Sequence, residues 1–161
     1  MKILGIDPGT GICGFGVIEV EVGKKARMVT AGVVKTPPRT PLEDRLLDIY
    51  DSLREIVQEC KPDEVAIEKL FFNTNITTGI AVAQARGVCM LVAKQAGLSI
   101  FEYTPLQVKQ CLVGYGRAEK KQIQEMVRIH LGLKVAPKPD DAADALGVAI
   151  THSMMNRGVI K

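Results

Sequence analysis

Little in this chain points to a staple, a soft-metal site or a membrane. Its 161 residues include only four cysteines and two histidines, and Cys13, Cys60, Cys89 and Cys111 are scattered without a Cys-x-x-Cys pair. That set excludes a disulfide framework and a zinc site of ordinary spacing, and suits thiols packed as small core residues in a reducing cytoplasm. No apolar run approaches the roughly 20 residues that span a bilayer, and the amino-terminal residues enter a strand with no signal-peptide pattern. The expectation is a cytoplasmic protein with no membrane contact. Internal repeats and low-complexity tracts are missing too, so residues 1–161 read as a single domain large enough to bury a core.

The net charge of +3 says little about partners, but its distribution says more. Between Arg39 and Glu68 there are four basic residues against nine acidic ones, and between Pro105 and Lys138 seven basic against two acidic. A basic second half is either a solvated surface or a side turned to a polyanion.

The stretch around which the rest is organised is Lys2 to Gly11. Lys2 to Ile6 is a short apolar, β-branched run of the kind that forms a central strand. Asp7 is the first acid after it, at the turn Pro8-Gly9-Thr10-Gly11. A carboxylate there either closes an Asx-type turn or, being poorly solvated, takes a donor, a cation or a metal. Apolar residues with interleaved glycines return from Cys13 to Glu21, and Arg27 to Thr36 follows after a turn, which predicts an antiparallel meander of three strands. Thr40-Pro41-Leu42-Glu43 reads as a capping box opening an amphipathic helix to Cys60. Glu64 to Glu68 is a fourth strand after a helix, expected parallel to the first. Glu68 would then emerge beside Asp7 at the carboxyl edge of the sheet, where open α/β sheets bind ligands.

A helix from Thr77 to Ala96 is rich in Gly and Ala, so some neighbour approaches it closely, either its own sheet or a second copy of the chain. Leu98 to Tyr103 is a fifth strand. Thr104-Pro105-Leu106-Gln107 is a second capping box, opening a helix that carries Lys109. A loop through Arg117, an amphipathic helix from Glu119 to Leu131 and a last helix N-capped by Asp140 complete the order βββαβαβααα. The fold class is α/β: a five-stranded mixed sheet, its first three strands antiparallel, with helices on both faces.

Asp141 and Asp144 lie three apart in the first turn of the last helix, on one face. Acids there answer the helix dipole, yet Asp144 in an alanine-rich turn asks for more. If that helix crosses the sheet edge, Asp7, Glu68, Asp141 and Asp144 form one cluster. Four such carboxylates cannot all stay ionised without a cation. Their hard oxygens favour Mg²⁺ or Mn²⁺ over zinc, and a pair of ions would suit phosphodiester hydrolysis. The basic segment would then neutralise flanking phosphates.

In order along the chain, Gly5-Ile6-Asp7-Pro8-Gly9, Ala66-Ile67-Glu68, Gln84-Ala85-Arg86-Gly87, Val108-Lys109-Gln110, Ala118-Glu119-Lys120 and Asp141-Ala142-Ala143-Asp144-Ala145-Leu146 resemble the motifs of the RuvC family of Holliday-junction resolvases. The resemblance spans nearly the whole chain. It implies a ribonuclease-H-like fold, a homodimer, and paired metal-dependent nicks across a four-way DNA junction in recombination and repair, alongside a branch-migration helicase complex. By matching motif, Asp7, Glu68, Asp141 and Asp144 are the catalytic metal ligands, and Lys109 and Lys120 sit by the scissile phosphates. The last acidic position is histidine in some members, which leaves open whether Asp141 or Asp144 binds metal more directly. Phe71 matches an aromatic that stacks on an unpaired base. Arg86 either contacts phosphate or pairs with an acid, the phosphate being favoured, and Arg117 and Lys121 are further DNA contacts.

Three other readings compete with this one. The Gly5–Thr10 segment also resembles the phosphate loop of actin-like and sugar-kinase ATPases, which need a second domain and a second Asp-x-Gly hairpin. That reading is set aside, because this chain has room for one such domain and shows no second Asp-x-Gly hairpin. A DNA-binding module with a purely structural acidic cluster, and a nuclease acting on RNA–DNA hybrids, are the other two.

Overall fold

The computed structural model describes residues 1–70 and 76–156. Its five strands are β1 (Lys2–Asp7), β2 (Ile12–Glu19), β3 (Arg27–Lys35), β4 (Glu64–Glu68) and β5 (Ser99–Tyr103). The helices are α1 (Leu42–Cys60), α2 (Ile76–Gln95), α3 (Pro105–Val113), α4 (Lys120–Leu131) and α5 (Asp140–Met155). The sheet runs β3-β2-β1-β4-β5. β1 pairs antiparallel with β2, and β2 with β3, while β4 joins β1 and β5 in parallel. The expected meander and the parallel fourth strand are both present.

Successive side chains of a strand point to opposite faces, and here the two faces have different covers. Leu4, Ile6, Cys13, Val17, Val65 and Ile67 pack with Ile49 and Leu53 of α1 and Ala85, Cys89 and Val92 of α2. Ile3, Ile18, Ala66 and Tyr103 pack with α3, α4 and α5. Ile49 and Leu53 are fully buried, each worth about 1.5–3 kcal/mol over exposure.

Close approach explains the glycines of β1 and β2. A Cβ on Gly5 would stand 2.0 Å from the Ala145 carbonyl oxygen, and one on Gly14 would stand 2.1 Å from that of Asp141. With Ala142, Ala143, Ala145 and Ala149 fully buried, α5 lies almost backbone to backbone on the sheet. Only residues without long side chains permit that.

Two caps differ from expectation. α1 starts with Pro41 as its N-cap and no side-chain cap hydrogen bond, so the Thr40 capping box does not form; the chain turns one residue later than that pattern requires. α5 is capped by Pro139, and Asp140 is its first helical residue rather than its cap, the extended Pro139 having taken the flanking position. The Thr104 box does form: Thr104 Oγ1 accepts from the Gln107 N–H at 3.0 Å and Gln107 Oε1 from the Thr104 N–H at 2.8 Å. At α4 the Glu119 N–H donates to Gln122 Oε1 at 2.8 Å, placing Glu119 just outside the helix.

Candidate metal centre

Alternation within the strands decides where the acids point. Ile3 and Gly5 face α5, so Asp7 does as well, and Ala66 facing α5 takes Glu68 with it. The register Ile6↔Ile67 sets the two carboxylates side by side at the carboxyl edge of adjacent parallel strands. The first turn of α5 crosses this edge, with the Asp141 backbone on Gly14, the residue paired with Asp7. Asp144 then shares a cleft of ≈ 240 Å³ with Glu68, Lys109, Lys120, Pro105, Val108, Ala118 and Ile123.

The electrostatics bear out the crowding. Burial, and then the charges of Glu68, Asp144 and Asp141, push the Asp7 carboxyl up to about 8. Burial and Asp144 raise Glu68 to about 7, with Lys109 opposing. Asp144 is raised by burial, against the pull of Lys120. Among the described residues no three of these side chains close on a single point that could hold an ion; Glu68 lines one cavity with Asp144 and another with Asp7. The donor set fits a hard cation all the same. It is made of carboxylate oxygens with no thiol or imidazole among them, and their mutual charge disfavours full ionisation until a cation arrives.

The basic residues are unevenly placed. The Lys120 ammonium lies 3.2 Å from Asp144 and 3.6 Å from Asp140, at the start of α4. Lys109, on α3, lines the same cleft as Lys120, and Arg117 and Lys121, close to Lys120 in sequence, are exposed. Arg86 takes the acidic alternative: it pairs with Glu102, and its Nε donates to the Glu68 carbonyl at 3.3 Å. Phe71 lies outside the described residues.

Sequence reasoning missed a second polar group on the α5 face. His152, fully buried, takes the Tyr103 hydroxyl on Nδ1 and the Glu64 carboxylate on Nε2, each at 2.7 Å. It pins the far half of α5 to β4 and β5. The only hint in the sequence was Glu64, an acid sharing strand parity with Glu68. The larger cavity, ≈ 560 Å³ between the β2–β3 turn and the end of α5, lies at the other end of β2 from the acids.

A meander extended by parallel strands, with acids of two central strands meeting those of a crossing helix, defines the ribonuclease-H-like metal-dependent nucleases. The family profile described as "Crossover junction endodeoxyribonuclease RuvC" matches residues 3–152. Curated proteins of that name from Brevibacillus brevis and Heliobacterium modesticaldum are similar to this chain. The first is 54% identical over 95% of this chain and 92% of its own length, the second 55% identical over 96% of each. Among solved structures, Thermus thermophilus RuvC bound to a Holliday junction substrate superposes with a TM-score of 0.92 at 39% identity, covering 99% of this chain and 97% of that one. The yeast mitochondrial resolvase Ydc2, at 13% identity and a TM-score of 0.67 over 92% of this chain and 76% of its own, shares the fold. The chain belongs to the RuvC family of crossover junction endodeoxyribonucleases.

Proposed function

We propose that Asp7, Glu68, Asp141 and Asp144 together hold divalent cations against a scissile phosphate of a four-way DNA junction. Mg²⁺ is the expected ion, with Mn²⁺ as a substitute and two ions per site. When bound, such ions supply an activated water and stabilise charge on the leaving oxygen. The chain's own residues do the rest. Asp7 and Glu68 are fixed by strand pairing and Asp141 and Asp144 by a helix turn, so the ligands come from rigid elements. Lys109 and Lys120 both line the cleft, where ammonium groups offset the charge of a phosphate bound there. Arg117 and Lys121 extend that basic surface along the backbone, and Phe71 keeps the base-stacking role that the resemblance gives it.

One observation carries this reading: the shared parity and parallel register of Asp7 and Glu68 beneath the first turn of α5. The test is cleavage of a synthetic four-way junction in Mg²⁺ by the wild type and by Asp7→Asn, with junction binding measured in EDTA. Competition with a plain RNA–DNA hybrid fixes the substrate. A wild type that binds the junction in Mg²⁺ and never cuts it would return the chain to the class of binding modules.

A homodimer fits as well. On α2, Ile80 and Leu91 are 53% and 50% exposed, Ala83 and Gly87 are exposed between them, and a Cβ on Gly87 would meet nothing within 4 Å. At helical spacing these make an apolar stripe open to a second copy, and two copies would nick a two-fold junction symmetrically. The whole activity is assigned to one domain spanning residues 1–161, working in the cytoplasm beside a junction-bound branch-migration helicase complex.

A further inference from the structure

Arg86 reaches the edge of the site from the α2 side, where it lines a small cavity of ≈ 30 Å³ with Asp7, Glu68 and Lys69. Glu68 points to the α5 face, whereas Glu102, flanked in β5 by Phe101 and Tyr103 of the α5-side cluster, points to the α1–α2 face. Arg86 comes from α2 on that second face. Its Nη2 pairs with Glu102, to which the Lys69 ammonium adds a contact of 3.7 Å. Its Nε donates to the main-chain carbonyl of Glu68 at 3.3 Å. The Arg86 side chain is 20% exposed, and its charge is matched by a carboxylate of its own. On the α5 side the cation bearing on the Glu68 carboxylate is Lys109. The next residue is also anchored, the Lys69 N–H donating to the Tyr103 carbonyl at 2.8 Å.

We propose that Arg86 is a positioning residue whose guanidinium ties α2 and Glu102 to the Glu68 main chain, and so sets where the Glu68 carboxylate meets the divalent ion. This rests on Glu68 being a metal ligand. Mg²⁺ demands near-ideal octahedral ligands at about 2.0–2.1 Å, so a small drift at the end of β4 weakens the site. The planar fork of arginine reaches two acceptors at fixed angles, which the single ammonium of lysine does not. Outer partners of this kind are typically worth about 10–100-fold in metal affinity.

The experiment uses the full chain. Mn²⁺ binding is measured by calorimetry without DNA, junction binding in EDTA across a salt series, and cleavage across Mg²⁺ concentrations. Arg86→Lys and Glu102→Gln should each weaken Mn²⁺ binding by about tenfold. The Mg²⁺ concentration for half-maximal cleavage should rise in step, while the rate at saturating Mg²⁺ and the junction affinity stay within about twofold. A phosphate contact gives the opposite pattern: Arg86→Lys keeps wild-type Mn²⁺ affinity, Arg86→Gln lowers the salt slope of junction binding by about one, and Glu102→Gln tightens binding. That pattern overturns the proposal. Glu68→Gln separates the two levels. If it abolishes Mn²⁺ binding while Arg86→Lys and Glu102→Gln do not affect it, only the positioning role fails; if it leaves Mn²⁺ binding intact, the metal-site reading itself fails. Should the Arg86 variants not fold, Glu102→Gln decides alone.

Discussion

Asp7 is the residue on which the proposed chemistry turns, and its surroundings make it a carboxyl that resists ionising. Replacing it with asparagine should lower junction cleavage in Mg²⁺ by at least about a hundredfold, the scale of losing one preorganised electrostatic contact. Junction binding in EDTA should hold or tighten, since a negative charge beside DNA is gone; gel-shift and cleavage assays on the folded variant check both. A second prediction follows from the raised carboxyls. From ordinary values of 3.8 and 4.5, Asp7 and Glu68 rise to about 8 and about 7, chiefly through burial. The folded chain therefore keeps protons that the unfolded chain has already released. Their contribution to stability is fully present below about pH 4 and is lost as pH climbs through 7 to 8. In EDTA, calorimetry should find a melting temperature several degrees lower at pH 8.5 than at pH 5.5, and Mg²⁺ should remove most of that fall. Equal melting temperatures at the two pH values in EDTA would contradict the burial of these acids.

At the level of elements, α5 decides the site, because it brings Asp141 and Asp144 to strands more than seventy residues away in sequence. Its seat is steric. Gly14→Ala puts a Cβ 2.1 Å from the Asp141 carbonyl oxygen, so the first turn must lift. Cleavage should fall by at least about tenfold, a displaced ligand being costly where geometry is demanding, with secondary structure by circular dichroism unchanged. The other end of the helix hangs on His152. Exchanging it for leucine leaves the Tyr103 hydroxyl without its partner, at a cost of about 1–3 kcal/mol for a buried group left unsatisfied, while the partly exposed Glu64 carboxylate can turn to water; the loss is readable as a shift in the urea midpoint. Much of this layer was legible in the sequence. The apolar runs of β1 and β4, each closed by an acid, give both the strands and their shared edge. The Thr104 box could be read because its partners lie three residues apart in one turn. Thr40 fits the same box pattern and Asp140 reads as a simple N-cap, yet neither caps its helix, since a cap depends on where the chain bends, which the packing of α1 and α5 sets. His152 carried no local sign at all, for both of its partners come from distant strands. Arg86 could be placed in a motif but not given a partner until strand parity had sent Glu102 to the α2 face.

For the molecule as a whole, the exposed stripe on α2 and the basic wall around the cleft call for separate tests. Leu91→Glu places a charge at one end of the proposed dimer contact and should shift the chain toward monomer by light scattering. Each copy should still bind Mn²⁺, because the acids lie on the far side of the sheet from that stripe. Paired nicks on a junction should become single, uncoordinated ones. A Leu91→Glu chain that remains dimeric would place the contact elsewhere.

The parallel pairing of β1 with β4, and the late arrival of α5, have one more consequence. On the proposed ligand set, no contiguous segment of the polypeptide carries all the acids, so a nascent chain still missing its last helix should not nick the genome around it. Competence to cut would then appear only on completion of folding, a built-in interlock for an enzyme whose substrate is the cell's own DNA.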